Sequence, residues 1–361
     1  MLKETNHMVL FLAAAGLLLL TACTKNDPVY STSFTVAGER THIAITSTSK
    51  TRALHIFSQL KEDSLYIEKY WNPRRSGTLR RTNTLLASGK QFSAPPSIIP
   101  MIKLSQKYAQ LSKGKYDAAR GKYLHSWGYY SNQEGEAASA IKTSLSAASG
   151  ESLLPPPRSS DVSIDDFRLQ TDNPNVMFDF GLLGKGYSLE MFAKSLKENG
   201  IYNAIINLGG DFKAVGTRSG EPWNIGIPRG DNTGVLATIN IAEGESVMTL
   251  GSYRAQSIAS SPLNYPVYDP ATHAPVEHTT SVTVLHRDAT LASAAAQAIF
   301  VAGPQLWRET AIEMDVDEVL LIDNTGKIHL TASMHDRLDF TQINPDVEIS
   351  TLERKTLHPN L

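Results

Sequence analysis

The residues best suited to chemistry lie in Val176 to Glu190, VMFDFGLLGKGYSLE. A carboxylate (Asp179), three glycines (Gly181, Gly184, Gly186) and a lysine (Lys185) meet there, where an apolar run gives way to helical spacing. The pattern predicts a short strand ending at Asp179, a glycine turn, and an amphipathic helix from near Lys185. At such a junction backbone N–H groups are free and a phosphate can approach closely. The glycine spacing matches neither the dinucleotide fingerprint nor the Walker pattern. Two readings stand: a nucleotide-phosphate loop, and an ordinary strand-to-helix turn whose glycines serve close packing.

Other polar and aromatic groups are less telling on their own. Gly114-Lys115-Tyr116-Asp117 follows a helical stretch, and by themselves Tyr116 and Trp71 read as core packing. Trp71 opens WNPRRSGTLRRTN, whose four arginines suit either solvent or a diphosphate. Gly209-Gly210-Asp211 follows an apolar run and reads as a tight strand-to-strand connection, with Asp211 structural. His273 and His278 flank a Pro-containing turn; as a metal site they would need further converging partners.

These groups need a frame. Arg52–Tyr70 and Ser97–Lys113 carry apolar residues at helical spacing. Trp71–Asn83 reads as turn-rich, and Tyr130–Pro157 as a surface connection. Ser163–Gln170 and Val176–Phe180 read as a strand pair. After the helix Tyr187–Asn199, strands are expected at Ala204–Leu208, Phe212–Val215 and Pro222–Ile227. Val235–Ile241 with Ser246–Leu250 suggests a hairpin. Ser281–His286 reads as a strand and Thr290–Val301 as an alanine-rich helix. Val319–Ile322 and Lys327–Leu330 form a hairpin around Asn324-Thr325-Gly326. Interleaved helices with short strand-to-strand turns predict an α+β fold, mixed or antiparallel sheets with packed helices, and no repeat.

Met8–Leu20 is an apolar run too short for a comfortable membrane span, and it ends at Leu20-Thr21-Ala22-Cys23. Cys23 is the only cysteine, which excludes an intrachain disulfide and suits lipidation. The expected organisation is a lipoprotein signal at 1–22, a tether at 23–33, one domain at 34–335 and a tail at 336–361. Localisation is expected at the bacterial cell envelope, periplasm-facing, anchored by acyl chains. Hydrophobic content of 41% with 19% charged residues describes a globular protein, and a net charge of −2 argues against nucleic acid as a partner.

Three anchors then line up in order: Asp179–Tyr187 (DFGLLGKGY), Ile206–Asp211 (INLGGD) and Tyr268–His278 (YDPATHAPVEH). Together with Ser76–Asn83, Gly114–Trp127 and Ile299–Gly303 they resemble the ApbE family of FAD:protein FMN transferases over roughly residues 34–335. The resemblance implies the family's α+β fold and transfer of FMN from FAD to a Thr or Ser hydroxyl of an acceptor protein, with release of AMP. It implies FAD contacts at Trp71, Lys115, Tyr116, Asp117, Asp179, Lys185 and Val267. It also implies a divalent metal such as Mg2+, held by the Leu182 carbonyl and by the positions occupied here by Ser293 and Gln297. The family carries Asp and Thr at those two positions. Neutral replacements lower the expected affinity for a hard cation. Pro266 and His273 likewise stand where the family has histidine and glycine. Two further readings therefore stay open: a non-catalytic FAD-binding or scaffold lipoprotein, and an FAD pyrophosphate hydrolase.

Overall fold

The computed structural model describes residues 27–73, 76–126, 155–231, 233–252, 267–272, 274–341 and 346–354. The chain opens with a hairpin of β1 (Tyr30–Val36) and β2 (Glu39–Ile45). Helix α1 (Lys50–Trp71) starts where the Ser49 hydroxyl accepts the Arg52 N–H at 3.3 Å. It buries Ala53, Ile56, Phe57, Leu60, Ser64, Ile67 and Trp71, a stripe repeating every three or four residues. Next come α2 (Thr78–Leu86), β3 (Phe92–Ser93), α3 (Ile99–Leu111), α4 (Gly121–Ser126), β4 (Ser163–Asp165) and β5 (Arg168–Gln170). The three short strands form their own sheet, in the order β3-β5-β4.

Helix α5 (Gly181–Glu198) leads into β6 (Ala204–Leu208), β7 (Asp211–Val215), β8 (Trp223–Pro228), β9 (Val235–Ile241) and β10 (Ser246–Gly251). Then follow β11 (Tyr268–Asp269), β12 (Ala274–Pro275), β13 (Thr279–His286), α6 (Ala289–Glu313), β14 (Glu318–Asp323), β15 (Ile328–Thr331), α7 (Ala332–His335), β16 (Leu338–Phe340) and β17 (Val347–Ser350). The main sheet has the order β1-β2-β6-β7-β10-β13-β14-β15-β17, and a three-stranded sheet runs β16-β9-β8. Ladders within both are antiparallel apart from the parallel pair β15/β17. This is the expected α+β architecture.

Strand alternation gives the main sheet two cores. Val282, Val284, Val319 and Leu321 face the larger core with α1, α5 and α6. Leu285, Leu320 and Ile322 face the other, against Trp223, Ile225 and Ile239 of the small sheet. Helix α6 is capped by Asp288, whose carboxylate accepts the Thr290 and Leu291 N–H groups at 2.8 and 3.1 Å. Its first turns are alanine-rich and buried, so the sheet and α5 can both approach closely. The helix breaks at Gly303 (φ 67°), ahead of Pro304.

Several expectations are corrected. Val176–Phe180 is not a strand. Both polar backbone groups of Phe178 go to the Asn83 side chain, at 2.8 and 2.9 Å, leaving a single bridge at Met177. Helix α5 starts at Gly181, because the Asp179 side chain accepts the Gly181 N–H at 2.9 Å. The second half of Trp71–Asn83 is helix α2, with Leu79, Thr82, Asn83 and Leu86 buried. Strands β9 and β10 are not a hairpin; they lie in different sheets. Tyr30–Ser33, expected in the tether, belong to β1. The expected tail contributes β16 to the small sheet and β17 to the main one. Cys23 and Trp127 lie outside the described residues.

Candidate functional site

The site begins where two loops run side by side. The Asp179 N–H bonds to Ala118 O at 2.8 Å, Met177 N–H to Ala119 O at 3.2 Å, and Gly121 N–H to Met177 O at 2.7 Å. This ladder brings Lys115-Tyr116-Asp117 against the start of α5. Asp117 is buried, and its carboxylate accepts the Ala119 N–H at 2.9 Å and the Ser159 N–H at 3.1 Å. Burial raises its pKa; the two backbone donors and the Arg120 charge oppose but do not cancel that. Burial likewise holds the Tyr116 phenol well above its usual range, helped by the Asp117 charge.

Arg120 extends the same stretch. Burial lowers its pKa, and the Asp117 carboxylate acts in the opposite sense. The Tyr123 and Tyr268 rings lie 5.3 Å apart. Tyr268 follows Val267, which is buried and accepts the Val276 N–H at 2.7 Å through its carbonyl. The segments around Asp117, Asp179 and Val267-Tyr268-Asp269, far apart in sequence, therefore converge.

Other expected contacts are committed elsewhere. Lys185 Nζ lies 3.0 Å from Asp211 Oδ2 and 3.3 Å from Glu39 Oε1. Asp211 is fully buried and also accepts the Thr249 N–H at 2.9 Å. The carboxylate is aimed by a two-residue turn, Gly209 (φ 60°) and Gly210 (φ 85°), joining β6 to β7. Lys115 lies 3.7 Å from Glu313 at the end of α6. Trp71 is buried, donates its indole N–H to Ser97 O at 3.1 Å, and meets Tyr187 edge-on at 5.1 Å. Arg80 and Arg81 are exposed, while Arg74 and Arg75 lie outside the described residues. His278 is exposed with its ring over Gly303; His273 lies outside the described residues.

The three expected metal positions share one seam. Glu190 of α5 accepts the Ala289 N–H at 2.7 Å, and Gly186, one turn earlier, faces Ala289 O and Ser293 Oγ. The helices thus run in opposite senses, which places Leu182 toward the Ser293–Gln297 turn. Ser293 is fully buried and donates to Thr290 O at 2.8 Å. A side chain at Gly186 would place its Cβ 2.3 Å from Ala289 O and 2.7 Å from Ser293 Oγ, so the seam is closed there. Among the described residues no three His, Cys, Asp or Glu side chains could hold a metal ion. A serine spent on a backbone carbonyl and a neutral amide do not fit a hard divalent cation.

Sequence reasoning overlooked three groups. Arg120 is a cation three residues past Asp117, and that was its only signal. Glu39, the second partner of Lys185, gave none. Lys213, 2.8 Å from Glu190 and bonded to the Gly244 and Arg287 carbonyls at 2.9 and 2.6 Å, sits in a strand that reads as plain β.

The fold and this convergence define a class: the chain belongs to the ApbE family, whose model it matches over residues 31–320. It is similar to the FAD:protein FMN transferase of Rhodobacter capsulatus, 28% identical over 329 residues, covering 90% of this chain and 62% of that one. It is also similar to that of Haemophilus influenzae, 24% identical over 352 residues, covering 92% and 97%. The chain thus spans about three-fifths of the first relative and nearly all of the second. Among solved structures, the ApbE protein of Thermotoga maritima superposes with a TM-score of 0.72 at 23% identity, over 86% of this chain and 99% of that one. The flavin transferase ApbE from Vibrio cholerae gives 0.68 at 22%, over 86% and 99%. Both share the fold.

Proposed function

We propose that this chain is an FAD:protein FMN transferase. It would move FMN from FAD to a threonine or serine hydroxyl of an acceptor protein. A bond forms between the acceptor oxygen and the phosphorus on the flavin side. The phosphoanhydride bond breaks, AMP leaves, and the hydroxyl proton is lost. The observation that carries this reading is the convergence of the Asp117, Asp179 and Tyr268 segments in a chain of the ApbE family. FAD suits the residues present: paired tyrosines for a ring system, the apolar Val267, and a buried guanidinium nitrogen beside them. Once FAD is bound, positioning and charge neutralisation are the protein's part of phosphoryl transfer.

Ser293 and Gln297 favour a second reading, an FAD-binding lipoprotein without turnover. One experiment separates these two from each other and from FAD pyrophosphate hydrolysis. The full chain is incubated in detergent with FAD and a threonine-bearing acceptor polypeptide; in-gel flavin fluorescence and AMP release are followed. Covalent flavin on the acceptor with stoichiometric AMP supports transfer. AMP without labelled acceptor supports pyrophosphate hydrolysis. Bound FAD without AMP leaves the binding role, and no FAD binding leaves only a scaffold role.

We further propose that the chain is held at the bacterial envelope, facing the periplasm, by lipid on Cys23. The sole cysteine directly after Met8–Ala22 supports this. No helix among the described residues is long and apolar enough to cross a membrane. Cys23→Ala should move the chain from the membrane to the soluble fraction; unchanged partitioning would count against the anchor.

A further inference from the structure

The cations nearest the converging segments are not equivalent. Lys185 is held by Asp211 and Glu39, Lys115 faces Glu313, and Lys122 donates to Asn175 at 2.7 Å. Arg120 differs. Among the described residues no hydrogen bond or ion pair engages its guanidinium, and Nη1 is buried without a partner. Asp117 acts on it through charge, but that carboxylate is already occupied by the N–H groups of Ala119 and Ser159.

We infer that Arg120 is a phosphate-binding residue, whose guanidinium receives the pyrophosphate of FAD between the Asp117 segment and the Tyr123–Tyr268 pair. The inference rests on the flavin reading above and adds a residue to it. A guanidinium presents five N–H donors in a planar fork, and that fork matches a phosphate edge. Leaving Nη1 buried and unused is unfavourable, so a site that keeps it points to a ligand that completes it. Charge balance points the same way. Pyrophosphate brings negative charge to a site whose expected metal positions are Ser293 and Gln297, neither of which carries charge. A side-chain cation answers that charge, and among the described residues of the converging segments Arg120 is the one whose guanidinium donors are uncommitted. Burial strengthens the contact, because a charge-assisted hydrogen bond is screened less away from water.

The test measures binding, not turnover. The full chain, Arg120→Gln, Arg120→Lys and Arg158→Gln are titrated with FAD and with riboflavin, which has the same ring system and no phosphate. Arg158 is an exposed neighbour and serves as the control for long-range charge. Arg120→Gln should weaken FAD by about tenfold or more while leaving riboflavin within about twofold, the signature of a lost charge-assisted contact to phosphate. Arg120→Lys keeps the charge without the fork and should lie between. FAD affinity unchanged in Arg120→Gln overturns the inference. So does an equal loss of FAD and riboflavin, which would mark a structural role, or an FAD loss in Arg158→Gln as large as in Arg120→Gln. If Arg120→Gln does not fold, Arg120→Lys decides: FAD weakened with riboflavin unchanged supports the assignment, and FAD unchanged refutes it. Absence of FAD binding by the unaltered chain removes the flavin reading itself, an outcome distinct from all of these.

Discussion

Replacing Lys185 with methionine tests whether its ammonium ties the scaffold together or waits for a phosphate. The Asp211 side chain is 1% exposed and the Lys185 side chain 13%. Removing one member of a buried ion pair typically destabilises by about 3–5 kcal/mol, because the other charge stays buried. Two features put this pair at the lower end. Lys185 keeps an edge in water, and Asp211 still accepts the Thr249 N–H. The expected loss is about 3 kcal/mol. Asp211→Asn keeps an acceptor for Thr249 and leaves Lys185 with Glu39, so its expected loss is about 1–2 kcal/mol. If the pair is coupled, the double variant is less destabilised than the sum of the singles by about 1–2 kcal/mol. Urea unfolding at pH 7, followed by tryptophan fluorescence, gives all three values from the midpoints at a common slope. Additivity within about 0.5 kcal/mol would refute the tie. So would an unchanged midpoint in Lys185→Met accompanied by a large loss of FAD affinity, which would return Lys185 to the role the sequence suggested.

Gly186→Ala gains helix propensity of about 1 kcal/mol but drives its Cβ to 2.3 Å from the backbone oxygen of Ala289. Backbone cannot rotate away, so a net loss of about 1–2 kcal/mol is expected from overpacking; a melting temperature at or above that of the parent would show the seam to be loose. Ser293→Asp with Gln297→Thr should lower the melting temperature without added cation, because a carboxylate enters a closed seam, and millimolar Mg2+ should restore part of it. A chain indifferent to Mg2+ would mean that more than these two residues separates the seam from a cation site. Asp323 titrates low, at about 2: burial alone would raise its pKa, but hydrogen bonds from Thr325 and His329 and from the Thr325 and Lys327 backbone N–H groups outweigh it. Its stabilisation is therefore present above the unfolded value near 4 and is lost as pH falls toward 2. Asp323→Asn should be less stable at neutral pH yet lose less stability between pH 4 and pH 2; parallel acid-unfolding curves would exclude this linkage.

The fold was legible where one force dominated. Along β13 and β14, alternate residues feed two cores, and that period is visible in SVTVLH and EVLLI. The alanine run of α6 could likewise only be a close-packed helix. Legibility failed where partners come from a distance. Val176–Phe180 has the composition of a strand, but the Asn83 side chain takes the Phe178 backbone groups that a neighbouring strand would have used. β9 and β10 look like a hairpin because their connection is short. Alternation cannot say which sheet each strand joins. At the site, the anchors were visible as motifs and their convergence followed. The sequence could not show that the cation of DFGLLGKGY is held by two carboxylates from other strands. Nor could it show that the guanidinium of Arg120, inside the Gly114–Trp127 segment, meets no hydrogen-bond partner among the described residues.

The order of the main sheet carries one more consequence. Its two edges are β1 and β17, the first and last strands of the described chain. Every strand between them is made before β17, so during synthesis the hydrogen-bonding side of β15 stays open until Val347–Ser350 arrives. An open, apolar edge of that kind is a template for pairing with another chain. The short parallel strand closes it, and the bonds from Lys327 and Arg308 to Glu348, at 2.7 and 3.2 Å, hold it in register. A chain stopped before residue 346 would retain every candidate site residue, yet its hazard would be self-association through β15 rather than loss of chemistry.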